Sequence, residues 1–170
     1  MKSAILLILT FLCISAYAEF PDSRSRFGVE VQGFSNPYNF VQGGTIGVHA
    51  GRYFDDTNVH YGFSLLTGSR NGGSLATDNL TYGGFQLGYD RSLLDIFHLE
   101  ADVLVGYGYG ANQQGMTLQP TVGAGLIVIN GWRAVFTIGY LYTPMVNVSG
   151  ITFGVKLDRK TVGSAYGEDR

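Results

Sequence analysis

Eight times between residues 26 and 157 the chain alternates apolar with small or polar residues at a period of two. After the first eighteen residues no apolar run reaches the ~20 residues that a membrane-spanning helix needs. Period two is the signature of a strand whose faces meet different surroundings, so the chain is read as all-β. The fifth segment is the clearest. Leu99, Ala101, Val103, Val105 and Tyr107 lie on one side, with His98, Glu100, Asp102, Gly106 and Gly108 on the other. The first sets Phe27, Val29 and Val31 against Gly28, Glu30 and Gln32; the second sets Ile46, Val48 and Ala50 against Gly47, His49 and Gly51. Val59, Tyr61, Phe63 and Leu65 alternate with His60, Gly62 and Ser64, and Phe85, Leu87 and Tyr89 with Gly84, Gln86, Gly88 and Asp90. The last three set Leu118, Val122, Ala124, Leu126 and Val128 against Thr117, Gln119, Thr121, Gly123 and Gly125; Ala134, Phe136, Ile138 and Tyr140 against Arg133, Thr137 and Gly139; and Ile151, Phe153, Val155 and Leu157 against Gly150, Thr152, Gly154 and Lys156. Pro120 removes one ladder bond, which predicts a strand start or a bulge there.

Alternation alone does not say which face is outside, because a soluble ligand-binding barrel alternates too. The other face decides. Charged residues are 14% of the chain, too few to coat a soluble surface when an ordinary domain carries roughly 25%. The non-apolar face is mostly Gly, Thr, Ser and Gln, and the central apolar face carries no ionisable group. That places the apolar face in lipid. In hydrocarbon every backbone donor and acceptor must be paired, which for strands requires a closed barrel. The expected fold is an eight-stranded antiparallel up-and-down transmembrane β-barrel over residues 26–157, each strand near the ~9–11 residues of a tilted bilayer crossing.

The N-terminus reads as an export signal. Lys2 supplies a positive start, residues 4–14 an apolar stretch, and Ala16-Tyr17-Ala18 a small-x-small cleavage pattern, so residues 1–18 are expected to be removed after Ala18. Leu12 before Cys13 stands where a lipoprotein signal needs a small residue. Cleavage removes the one cysteine and lowers Lys+Arg from 11 to 10 against 13 Asp+Glu, a formal net charge of −3. No disulfide framework or thiolate metal site remains, and nucleic-acid binding has no basic patch to rest on. Residues 19–25 form a short periplasmic lead and residues 158–170 a polar tail.

The connections are expected to alternate in length. Residues 34–44, 68–80, 109–116 and 142–149 form the longer, polar set, while 54–58, 92–96 and a tight Asn130-Gly131 turn form the shorter set. With a periplasmic N-terminus the longer set faces out of the cell. Phe27, Tyr53, Tyr89, Phe97 and Trp132 are expected at the periplasmic aromatic girdle, with Tyr107, Tyr140 and Tyr142 at the outer one.

In this architecture the chain resembles the small eight-stranded outer-membrane barrels of Gram-negative bacteria, the OmpA transmembrane domain and OmpX among them. The closing strand Gly150-Ile151-Thr152-Phe153-Gly154-Val155 is similar to the terminal signal read by the barrel assembly machinery. It departs from that signal at Val148 and in running on to Arg170 rather than ending on an aromatic. The resemblance implies an outer-membrane location, insertion by that machinery, contact with outer-membrane lipid and lipopolysaccharide, a monomer, and one domain, the tail being too short for a peptidoglycan-binding module.

An eight-stranded lumen is just wide enough for side chains to fill, so charges inside it should pair. Glu30, Asp90, Glu100, Asp102, Arg133 and Lys156 are expected to form that lumen network, with His49, His60 and His98 also facing inward. Glu30 and Lys156, on the first and last strands, are expected to pair where the barrel closes. The three histidines lack short ligand spacing, so no metal or other cofactor is expected. None of them begins the His-x-Ser element of lipid A deacylases, so no catalytic residue is assigned. Gly106-Tyr107-Gly108-Tyr109-Gly110 opens no helix and makes no phosphate loop. Inward glycines such as Gly28, Gly47, Gly62, Gly88 and Gly123 allow close backbone approach, with Gly33 and Gly83 facing out. The expected function is non-enzymatic, exercised through extracellular loops in adhesion, envelope integrity or partner binding, including an extracellular ligand, with a plugged lumen. A narrow pore or a lipid A-modifying enzyme is the alternative.

Overall fold

The computed structural model describes residues 24–36, 41–54, 57–71, 77–93, 97–110, 113–129, 132–144 and 148–161. The export signal, the Asn130-Gly131 turn and most of the tail lie outside the described residues. Eight strands follow in chain order: β1 Ser25–Asn36, β2 Val41–Tyr53, β3 Val59–Asn71, β4 Thr77–Ser92, β5 Phe97–Gly110, β6 Gln113–Ile129, β7 Trp132–Thr143 and β8 Val148–Thr161. Each pairs antiparallel with the next, and β8 returns to β1, closing the barrel. Closure leaves no sheet edge with unpaired donors and acceptors. No helix among the described residues is long and apolar enough to cross a membrane.

Register fixes the faces. Val29, Val31, Ile46, Phe63, Phe85, Val103, Val122, Phe136, Ile138, Phe153 and Val155 are exposed on the outer wall, while Glu30, His49, His60, Asp90, Glu100, Asp102, Arg133 and Lys156 are buried within. Gly33 and Gly83 face out, and the Phe153 ring covers Gly33, lying 2.7 Å from where its Cβ would stand.

The strands run to 12–17 residues, longer than the crossing length expected. Gln42, Gly43 and Gly44 pair with Asn71, Arg70 and Ser69 instead of forming a loop, and Gly110 pairs with Gln113. Residues that read as loop by their Gly, Asn and Ser content stay in the ladder, because pairing needs only a neighbouring strand and not an apolar side chain. The four links at the rim opposite the chain ends shrink to residues 37–40, 72–76, 111–112 and 144–147. Those at the rim bearing the chain ends are 54–58, 93–96 and 130–131. The expected contrast between long and short connections is therefore absent. We call these the far rim and the terminal rim.

Two further expectations are corrected. Pro120 sits in the middle of β6, opposite Val103 of β5, and not at a strand start. Its missing donor falls where the β6–β7 pairing skips from Leu118–Tyr142 to Thr121–Gly139, and the register shift in that ladder comes later, between Ile127 and Ile129. The barrel also ends later than expected. β8 continues to Thr161, so Asp158 belongs to the wall and not to a tail.

Candidate functional site

Inward side chains divide the lumen into layers. The terminal half is charged. Arg133 grips Asp158 with two bonds, Nε to Oδ1 and Nη2 to Oδ2, both at 2.8 Å, and its Nη1 donates to Asp90 Oδ2 at 2.9 Å. Paired fork-to-carboxylate contacts of this kind are among the stronger hydrogen bonds. Arg26 Nη2 donates to Asp158 Oδ2 at 2.8 Å and to Glu100 Oε2 at 3.3 Å. Lys156 Nζ donates to Glu100 Oε1 at 2.8 Å and to Asp102 Oδ2 at 2.5 Å. His60 Nε2 lies 2.6 Å from Arg26 Nη1 and 2.8 Å from Asp102 Oδ1. One ring nitrogen either accepts from the guanidinium or donates to the carboxylate, so His60 serves one partner at a time. His98 Nε2 stands 2.9 Å from Arg133 Nη1, and His49 Nε2 3.8 Å from Asp158 Oδ2. At the mouth, Tyr53 donates to Asp90, and Lys160 Nζ lies 3.6 Å from Asp90 Oδ1 and 4.2 Å from the Tyr53 ring centroid.

Above this lies a thin amide layer. Gln32 donates to Glu30 Oε2 at 3.0 Å and accepts from Gln119 at 2.7 Å and from the Tyr82 hydroxyl at 3.2 Å, while Ser64 donates to Gln86 at 2.5 Å. Between the charged and amide layers a void of about 10 Å³ remains, lined by Glu30, Gln86, Asp102, Gln119 and Lys156. That is room for one water at most. The far half is apolar, with Phe34, Val41, Leu66, Leu80, Tyr82, Leu104, Leu141 and Val148 each at most 5% exposed. Thr117 and Thr143 share the far half's buried hydroxyl pair at 3.1 Å.

Glycine makes this filling possible. A Cβ at Gly88 would overlap Asp102 Oδ1 and His60 Nε2, and one at Gly47 would stand 2.6 Å from Leu66 Cγ. The wall is thinned where long side chains from neighbouring strands cross the lumen.

All six residues expected in the lumen network are buried there: Glu30, Asp90, Glu100, Asp102, Arg133 and Lys156. Glu30 and Lys156 are Cα partners in the β1–β8 register, yet Lys156 reaches across to β5 and Glu30 accepts from Gln32. The expected Glu30–Lys156 ion pair is replaced by longer-range ones, because the two carboxylates of Glu100 and Asp102 outbid one. Arg26, Tyr53 and Asp158 were not expected in the network. Tyr53 is 4% exposed in the lumen and does not belong to the aromatic girdle on the wall near the terminal rim, where Phe27 and Trp132 meet edge to face at 5.9 Å. Strand parity carried the signal for all three, since Arg26 is in phase with Glu30, Tyr53 with His49 and Asp158 with Lys156. Among the described residues no group of three His, Cys, Asp or Glu is arranged to hold a metal ion.

No protein-family model matches the chain, and no curated protein is significantly similar to it in sequence. In structure it is similar to Neisserial surface protein A, with a TM-score of 0.62 at 11% identity over 82% of this chain and 96% of that one. The N-terminal β-barrel domain of Pseudomonas aeruginosa OprF gives 0.49 at 14% identity, over 82% of this chain and 100% of that one. The outer membrane protein Ail of Yersinia pestis gives 0.49 at 10% identity, with the same coverage. At these identities the likeness concerns fold, and the fold is that of the small eight-stranded outer-membrane β-barrels.

Proposed function

We propose that the protein is a non-enzymatic integral outer-membrane barrel, exported by its N-terminal signal, with the terminal rim in the periplasm and the far rim presented to the cell exterior. One observation carries this reading. Large apolar side chains stand exposed all round the outer wall, among them Phe136 at 68%, Phe63 at 65%, Phe153 at 58%, Val31 at 57% and Val122 at 56%. A soluble monomer rarely leaves so continuous an apolar surface to water. Lipid covers it without cost.

The filled lumen supports a structural rather than a conducting or catalytic interior. The gap between its charged and amide layers holds one water, and His60 and His98 are 2% and 1% exposed between arginines and carboxylates, out of reach of a substrate. Contact with a partner then falls to the far rim. With links of two to five residues, that surface is a crown of projecting strand ends rather than a set of long loops. Its described exposed residues, such as Gln42, Asn71, Asn79, Gln113 and Gln114, are uncharged, which suits hydrogen-bonded adhesion or partner binding in the envelope.

Gel mobility in SDS with and without boiling tests the barrel in a membrane. A heat-dependent shift and extraction only by detergent are expected, and recovery as a soluble periplasmic protein would overturn the reading. Planar-bilayer recording tests the plug, with no steady current expected from the wild type; a steady conductance would favour the narrow pore. Val103→Arg on the outer wall should cost about 2–4 kcal/mol, measured by urea unfolding in vesicles. A cost near zero would reverse the face assignment.

A further inference from the structure

The outer wall is not uniform. Antiparallel register aligns Arg91, Leu99, Ala124 and Phe136 in one row across β4 to β7, and Tyr89, Ala101, Val122 and Ile138 in the next. Ala101 and Ala124 lie diagonally between bulkier neighbours, so the surface dips there. The dip is an apolar groove of about 750 Å³, within the ~300–1,000 Å³ range of small-molecule sites. Its walls are Tyr89 and Leu99 on one side and Phe136 and Ile138 on the other, and Arg91 stands at its terminal-rim end.

Arg91 is exposed and has no ion pair among the described residues, although every guanidinium inside the barrel is committed. Among the described residues, outward cations are confined to this end of the barrel. Arg91 and Arg159 are exposed at the terminal rim, and the outer wall of the far half carries no Lys or Arg among its described residues; Arg70, the one cation there, is buried. A guanidinium above an apolar groove on a lipid-facing wall is complementary to a phosphodiester joined to an acyl chain.

We propose that this groove is a glycerophospholipid site, with an acyl chain lying over Ala101 and Ala124 and the lipid phosphate held by Arg91. The proposal rests on the membrane reading above. It assigns the bound lipid to the leaflet at the terminal rim, and it gives lipopolysaccharide phosphates no equivalent cation on the described far wall.

Native mass spectrometry of the whole protein released from detergent, with dioleoylphosphatidylglycerol added, tests the site. The wild type should retain one lipid. Ala124→Trp, which fills the groove, should abolish that retention, with Ala101→Leu as a milder version should the tryptophan prevent folding. Arg91→Gln should weaken it about tenfold, as expected for losing one hydrogen bond to a charged group, whereas Arg159→Gln should leave it unchanged. Retention by a folded Ala124→Trp variant, equal losses from the two arginine variants, or a dimer in place of the lipid adduct would each overturn the proposal. The heat-dependent gel shift, run on every sample, separates the two readings. A wild type that shifts but holds no lipid overturns the site alone, and a wild type that does not shift overturns the membrane reading with it.

Discussion

The terminal half and the far half of the lumen reach the same end, a filled interior, by opposite chemistry. In the terminal half five buried carboxylates, Glu30, Asp90, Glu100, Asp102 and Asp158, face the buried cations Arg26, Arg133 and Lys156, with Lys160 a quarter exposed at the mouth. In the far half Leu66, Leu80, Leu141 and Val148 are fully buried beside Phe34 and Tyr82. Burying charge costs desolvation that attraction repays only when every partner is in place, whereas apolar packing degrades in proportion to the volume removed. The two halves should therefore respond differently to single and to joint substitutions.

The largest effect should come from taking one cation out of the charged half. Arg133→Met strips Asp158 of its two-bonded partner and Asp90 of another, leaving buried carboxylates under-compensated, at a cost of about 3–5 kcal/mol in urea unfolding from vesicles. A cost under 1 kcal/mol would mean that water reaches this half and the network is screened.

Next comes the apolar half. Leu66→Ala removes a side chain that is fully buried and seated over Gly47, and should cost about 3 kcal/mol by lost transfer free energy and a residual cavity. Because the site is dry and apolar, the loss should not vary with salt; a salt-dependent loss would place Leu66 in contact with solvent.

The contrast between the halves also marks what can be read from sequence. The wall follows from pattern alone, since a period of two with lipid on one side leaves a single phase for each strand, and the eight strands are found where Phe27 to Leu157 alternate. The charged half was legible where charge and parity coincided, as at Glu100 and Asp102. It was not legible at Arg26, the first residue of the expected barrel, at Tyr53, whose ring reads as part of the aromatic girdle, or at Asp158, one residue beyond the expected barrel end. The apolar half was hidden altogether. Leu66, Leu80, Leu104 and Leu141 occupy lumen positions by parity, but an apolar residue on a polar face looks like an interruption of the pattern. Only closure shows that a lumen has a dry end. The Lys156 partners were hidden for another reason. Register names the neighbour, Glu30, while a four-carbon side chain in a narrow barrel reaches a strand on the opposite side.

A smaller effect is expected at the hydroxyl pair of the far half. Thr143→Val leaves the buried Thr117 hydroxyl without its partner at 3.1 Å and should cost about 1 kcal/mol. Replacing both with valine should be milder than replacing one, because no polar atom is then left unpaired. A double variant worse than the single would show that the hydroxyls hold more than each other.

The smallest effect should come from the most drastic change, which is where the two halves separate most sharply. Lys156→Met alone leaves Glu100 and Asp102 facing each other without the ammonium that bridges them, so it should behave like Arg133→Met. Adding Glu100→Gln and Asp102→Asn removes the charges left stranded while keeping side chains of similar volume and hydrogen-bonding capacity. Arg26 keeps Asp158 at 2.8 Å, so the triple variant does not strand a second cation. Replacing a complete set of buried ions by neutral groups is often close to neutral, and the couplings within such a set are strongly non-additive. The triple variant should therefore unfold within about 1 kcal/mol of the wild type, well above the single Lys156→Met. The same logic cannot rescue the far half, where Leu66→Ala combined with Leu80→Ala should cost at least as much as either alone. If the triple variant is instead less stable than Lys156→Met, the charged half is held by its hydrogen-bond geometry rather than by charge balance, and the two halves differ in degree rather than in kind.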